Sequence, residues 1–213
     1  MLLHGMGRTS MAMGKLEREL EDDGYETVNR SYRAFKVNIR ELAPLAIDPA
    51  LETCDKRNAS PVHFVTHSLG GILVRVYVEN GRPDDLGRVV MLGPPNHGSE
   101  VVDVLGGTPI FRWFGGKAGQ ELGTELPDSV PKQLGPADFE LGVIAGNRTV
   151  NLLLSRYLPG ADDGKVTVES TKLDGMADHV VLPVTHTFMM RNRTAIEHVR
   201  HFLRTGQFAN TSK

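Results

Sequence analysis

The stretch Val62 to Val65 runs through Thr66, His67, Ser68, Leu69, Gly70 and Gly71 into the largely apolar segment Ile72 to Val78. A strand must therefore reverse into a helix within a few residues, and the flanking small residues let the backbone tighten enough to do so. A strand that feeds a helix directly builds crossover units, and crossover units build parallel sheets. The turn also places Ser68 at the carboxyl end of its strand with the hydroxyl projecting, which makes it a nucleophile candidate. Thr66 stands where the G-x-S-x-G pattern has its first glycine. A serine between small residues after a strand is also a common turn or cap residue, so other positions must decide between the two.

The rest of the chain repeats the alternation of strand and helix. Leu2 and Leu3 open it as a short strand. Ser10 is placed to cap a helix with Met13, Leu16 and Leu20 on its apolar side and Gly24 as its stop. Tyr25 to Asn29 reads as a strand, Ile39 to Cys54 as a helical stretch interrupted near Pro44 and Pro49, and Val62 to Thr66 as the strand before Ser68. Leu69 to Asn80 is a helix closed by Gly81 and Pro83. Arg88 to Leu92, Phe139 to Ala145 and Val180 to Val184 are further strands, the last bearing Pro183 and so suited to a sheet edge. Asn147 to Leu158 reads as a short helix or loop. Thr194 and Glu197 form a capping-box pair for a final helix with Ala195, Ile196, Val199, Phe202 and Leu203 inward. Residues 97–136 form a long Gly- and Pro-containing segment, of a length expected in lids and binding loops. The fold class is α/β, with about six mostly parallel strands in one domain spanning 1–213.

Composition narrows the function. A 213-residue chain with 40% hydrophobic and 23% charged residues is ordinary for a globular domain, and its formal net charge of -2 gives no argument for nucleic acid or an anionic membrane. The single cysteine, Cys54, cannot form an internal disulfide. No apolar run is long enough to span a bilayer and no signal peptide is evident, so cytoplasmic is the default location. The opening strand is short: either it is stunted or residues are missing upstream, in which case a leader for secretion would change the compartment. No metal-ligand spacing or phosphate loop is present, since Gly106-Gly107 and Gly115-Gly116 are not followed by a Lys-Ser/Thr pair. Chemistry without a cofactor is expected.

A serine hydroxyl needs a base, and the base needs an orienting acid. In open parallel sheets both should lie just beyond strand carboxyl ends. His186 follows the last strand, and Asp163 lies in the Asp162-Asp163-Gly164 turn. His179 is the rival base, but it precedes the last strand. Asp162, Asp174 and Asp178 compete with Asp163, which leads because it directly precedes the turn glycine. His63 and His67 read as structural, with His67 turned away by strand alternation. His198 and His201 read as solvated on a surface helix.

Taken in order, Leu2-Leu3-His4-Gly5-Met6, Thr66 to Gly71, Gly93-Pro94-Pro95-Asn96-His97-Gly98, Asp163-Gly164-Lys165 and His186-Thr187-Phe188 resemble the α/β-hydrolase superfamily, close to compact bacterial lipases and esterases. The resemblance spans nearly the whole chain. It implies a reduced fold lacking the first two strands of the full pattern, and a Ser68, Asp163, His186 triad. It also implies an oxyanion hole from the backbone N–H groups of Met6 and Leu69, with His4 either positioning that loop or merely packing. The implied activity is hydrolysis of carboxylic esters, including lipids, through an acyl-enzyme. Amidase, thioesterase and acyltransferase chemistry share the same residues, and a non-catalytic binding module shares the scaffold. The expected partner is a small-molecule ester or lipid; the chain gives no sign of oligomeric state. Within 97–136, Phe111, Trp113 and Phe114, with Ile110, form an apolar cluster that either covers the Ser68 pocket and contacts an acyl chain or anchors the loop.

Overall fold

A computed structural model describes residues 1–108, 116–124, 129–149 and 158–209. Five strands form one parallel sheet in the order β1-β2-β3-β4-β5: Leu2–Leu3, Val62–His67, Leu86–Leu92, Leu141–Gly146 and Asp178–Leu182. The register runs Leu2↔Val65, Phe64↔Val89, Val90↔Gly142 and Ile144↔Val180, so the carboxyl ends of all five strands share one rim. The chain has the α/β-hydrolase fold in reduced form. The sixth expected strand, Tyr25 to Asn29, contributes only the bridge Leu2↔Asn29 beside β1, because a two-residue partner offers too short a ladder to extend it.

Strand alternation sorts the core into two layers. Phe64, Val89, Met91, Leu141 and Val143 face helices α2 (Ile39–Lys56) and α3 (Leu69–Asn80). Val65, Val90, Leu92, Ile144 and Leu182 face α1 (Gly14–Asp22) and the C-terminal helix Arg193–Thr205. At the edge, β5 ends at Leu182, so Pro183 breaks no ladder.

Several local expectations shift. Helix α2 is continuous through Pro44 and Pro49. Each proline costs about 3 kcal/mol, but the helix buries Ile39, Leu42, Ala43, Ala46, Ile47, Ala50 and Cys54, and large apolar side chains each contribute roughly 1.5–3 kcal/mol. Ser10 begins a single 3-10 turn and does not cap α1, whose N-cap is Met13. The C-terminal helix is capped by Asn192, whose side chain accepts from the Ala195 N–H at 3.1 Å, in place of Thr194. The 97–136 segment is partly helical: α4 is Glu100–Leu105, residues 116–120 are helical, and α5 is Val130–Gln133. Two further helices follow, α6 (Val168–Thr171) and, as α7, Arg193–Thr205. The cluster Ile110, Phe111, Trp113 and Phe114 lies outside the described residues, as does most of Asn147 to Leu158. No described helix is long and apolar enough to cross a membrane.

Candidate active site at the carboxyl rim

Ser68 has φ 54 and ψ -122 between β2 and α3, a conformation that non-glycine residues rarely adopt. Such a residue stores about 1–3 kcal/mol of strain and persists only when its surroundings fix it. Here they do. The Ser68 N–H donates to the Leu92 carbonyl at 2.9 Å and the Ser68 carbonyl accepts from the Gly71 N–H at 3.0 Å. The β1 loop packs so tightly on the turn that a Cβ on Gly5 would lie 3.1 Å from the Ser68 Cβ, and one on Gly70 would lie 2.7 Å from the Leu3 carbonyl oxygen. Gly70 is therefore required by close approach of the β1 backbone, and Gly5 by the His67 and Ser68 side chains.

The acid turn builds a second fixed unit. His186 Nδ1 meets Asp163 Oδ2 at 2.7 Å, with both side chains withdrawn from solvent. The other carboxylate oxygen accepts from the backbone N–H groups of Lys165 and Val166 at 3.0 and 2.9 Å, and the His186 N–H donates to the Asp163 carbonyl at 2.9 Å. Asp163 is thus held from three sides. With Nδ1 engaged by the carboxylate, Nε2 is the ring nitrogen left to accept a proton. Asp162 instead accepts from the Gly164 N–H at 2.7 Å and shapes the turn. Asp178 is committed to the N–H groups of His179 and Phe208, and His179 sits at the start of β5 against Thr171.

His67 departs from the sequence reading. Its side chain is not turned away: the buried Nε2 donates to the His186 carbonyl at 2.9 Å, and the two rings lie 4.7 Å apart. With the proton on Nε2, the buried Nδ1 is a bare acceptor with no hydrogen-bond partner among the described residues. Burial and, next, the neighbouring His186 hold the His67 imidazole well below the ordinary histidine range, so it stays neutral. His198 also differs: it is buried, edge-on to Phe208, and not solvated. His63 is structural, accepting the Arg88 N–H at 2.8 Å where β2 bulges against β3. His4 accepts the Tyr32 N–H at Nε2 (3.2 Å), which leaves Nδ1 to donate to the Gly5 carbonyl (2.9 Å), and its ring stacks on Tyr32 at 4.0 Å. That network fixes the loop carrying Met6.

Ser68, His186, His67 and Met6 line one cavity of about 370 Å³. Its wall on the far side is apolar, from Val101, Val102 and Leu105 on or beside α4 and from Leu122. Leu69, the other residue implied for anion stabilisation, is the first residue of α3, where free N–H groups and the helix dipole favour negative charge. Among the described residues no group of three or more His, Cys, Asp or Glu side chains is arranged to hold a metal ion.

Neither a protein-family model nor a curated protein matches the chain. Solved structures do. The chain is similar to the mature form of lipase BlEst2 from Bacillus licheniformis, with 17% identity, a TM-score of 0.75, and coverage of 96% of this chain and 90% of that one. It is similar to phospholipase PlaB from Legionella pneumophila, solved in complex with thio-NAD, with 22% identity, a TM-score of 0.74, and coverage of 94% of this chain but 55% of that one. An extracellular α/β-hydrolase from a Paenibacillus species is 13% identical with a TM-score of 0.57, covering 98% of both chains. At these identities the likeness is one of fold.

Proposed function

We propose that the chain is a carboxylic ester hydrolase of esterase or lipase type, acting through Ser68, His186 and Asp163. The observation that carries this is the withdrawn Asp163–His186 pair beside a strained Ser68 in one cavity. In the scheme, His186 Nε2 removes the Ser68 proton as Oγ attacks the ester carbonyl. The oxyanion is met by the backbone N–H groups of Met6 and Leu69, each such donor being worth about 2.7–4 kcal/mol of barrier. Collapse expels the alcohol, which takes the proton from His186, and leaves an acyl-enzyme. Water then attacks with His186 again as base, releasing the acid and restoring Ser68. Asp163 holds the imidazole tautomer throughout. Residues 1–213 act as one domain, and the 97–136 segment supplies the substrate wall, its described part at the cavity being Ser99, α4 and Leu122. The substrate is a small-molecule ester or lipid, and no nucleic acid or cofactor enters the scheme.

Ser68→Ala should lower turnover of 4-nitrophenyl butyrate by at least about a thousandfold with unchanged circular dichroism, and a fluorophosphonate should label the parent chain at Ser68 alone. Undiminished turnover in the variant, or a folded parent that resists labelling, would refute the reading. A panel of matched ester, thioester and amide substrates sets the acyl donor.

A further inference from the structure

Two cations, Arg8 and Lys165, stand at the cleft with no ion-pair partner among the described residues. Arg8 follows the loop after β1 and is half-buried; Lys165 follows the acid turn and presents much of its side chain to solvent. Both line the cavity that holds Ser68 and His186. Some cations of the fold are paired, Arg40 with Glu79, Arg88 with Glu140 and Arg200 with Asp23. Among the described residues neither Arg8 nor Lys165 enters an ion pair. Asp163 attracts Lys165 through space, but its oxygens are bonded to His186 and two backbone N–H groups and make no direct ion pair with either cation. The surrounding protein and, next, Arg8 push the Lys165 ammonium below its ordinary value, while burial and then Arg191 do the same to Arg8. In a chain of net charge -2 this is a local concentration of positive charge outside any direct ion pair, and it shares the cavity with the apolar Val101, Val102 and Leu105.

A neutral ester filling this cavity would strip water from both cations and return nothing, whereas an anionic group recovers that loss and is drawn in by the field. We propose that the site prefers esters with one apolar arm and one anionic arm, the anion, a phosphate or a carboxylate, lying between Arg8 and Lys165. This rests on the hydrolase reading for its chemistry, but the preference is measurable without turnover.

The Ser68→Ala chain is titrated calorimetrically at low salt with hexyl phosphate, heptanoate and hexanol. At least one anion should bind about tenfold or more tighter than the alcohol, and whichever leads identifies phosphate or carboxylate as the natural group. The Arg8→Gln/Lys165→Gln double variant should lose the preference and Lys165→Arg should keep it, each with its melting temperature checked. Equal affinities for all three probes, or a preference that survives in the folded double variant, would overturn the proposal. If the anion preference is present but no fluorophosphonate labels Ser68 in the parent, the hydrolase reading fails and the anion site stands.

Discussion

Gly93 shows how little room the candidate site leaves. It directly follows β3 with φ 56, and a Cβ there would lie 3.1 Å from both Asp163 Oδ2 and His186 Nδ1. Gly93→Ala should therefore cost about 1–2 kcal/mol from the left-handed backbone alone, and should slow ester turnover at least about tenfold by displacing the imidazole. Turnover within twofold of the parent (about 0.4 kcal/mol in barrier) would show that the pair tolerates the shift. At this scale the sequence was informative where local chemistry is self-contained. The turn glycine after Asp163 marks the residue whose carboxylate caps its own turn, and small residues around Ser68 mark the elbow. His67 was misread for a physical reason. Alternation puts it on the same face as Val65, toward α1 and α7, but at the last position of β2 that face opens over the rim, where the His186 loop lies. Arg8 and Lys165 carry no pattern in the sequence; only the closure of two distant loops brings them to one cavity.

At the scale of elements, α3 does more than carry Ser68 at its start. Its Arg75 is 5% exposed and donates to the carbonyls of Asn96, Pro131, Leu134 and Gly135, pinning both ends of the 97–136 segment to the helix. Burial outweighs the attraction of Glu79 and pushes its guanidinium down to about 10. Arg75→Ala strands several buried carbonyls at once, so about 3 kcal/mol or more of stability should disappear. A chemical-denaturation midpoint unchanged within error would show that water or backbone adjustment replaces the guanidinium. The boundaries of α3 were legible because Gly81 and Pro83 leave a helix no continuation. Those of α1 and α7 were not, since Ser10, Asn192 and Thr194 are all competent caps and packing of the helix on the sheet selects among them. Helix α2 was read as broken because proline propensity is local, whereas the apolar face that overrules it is spread over the whole helix.

Across the whole molecule, the parallel order of the strands was legible from the alternation of elements, while the number of strands depended on how many residues β1 offers to its neighbour. The same packing has a consequence for acid stability. Burial holds His4, His63, His67, His179 and His198 below the ordinary histidine value of 6.5. Each is neutral in the fold at a pH where the unfolded chain binds a proton. The unfolded state therefore holds more protons in that window, and stability rises with pH there. Read in the acid direction, the stability present above about pH 6.5 is lost progressively as pH falls toward the depressed folded values. Asp23, lowered by its hydrogen bond to Arg200, adds a loss of the same sign, but only below its ordinary value of 3.8. Urea unfolding at constant ionic strength should thus show a midpoint that falls between about pH 6.5 and 5. Replacing the edge-packed His198 by Gln should make that fall shallower, because one proton fewer is taken up on unfolding. A midpoint flat down to pH 5 would mean that the buried imidazoles ionise in place, and with it the neutral His67 assigned beside His186 would have to be abandoned.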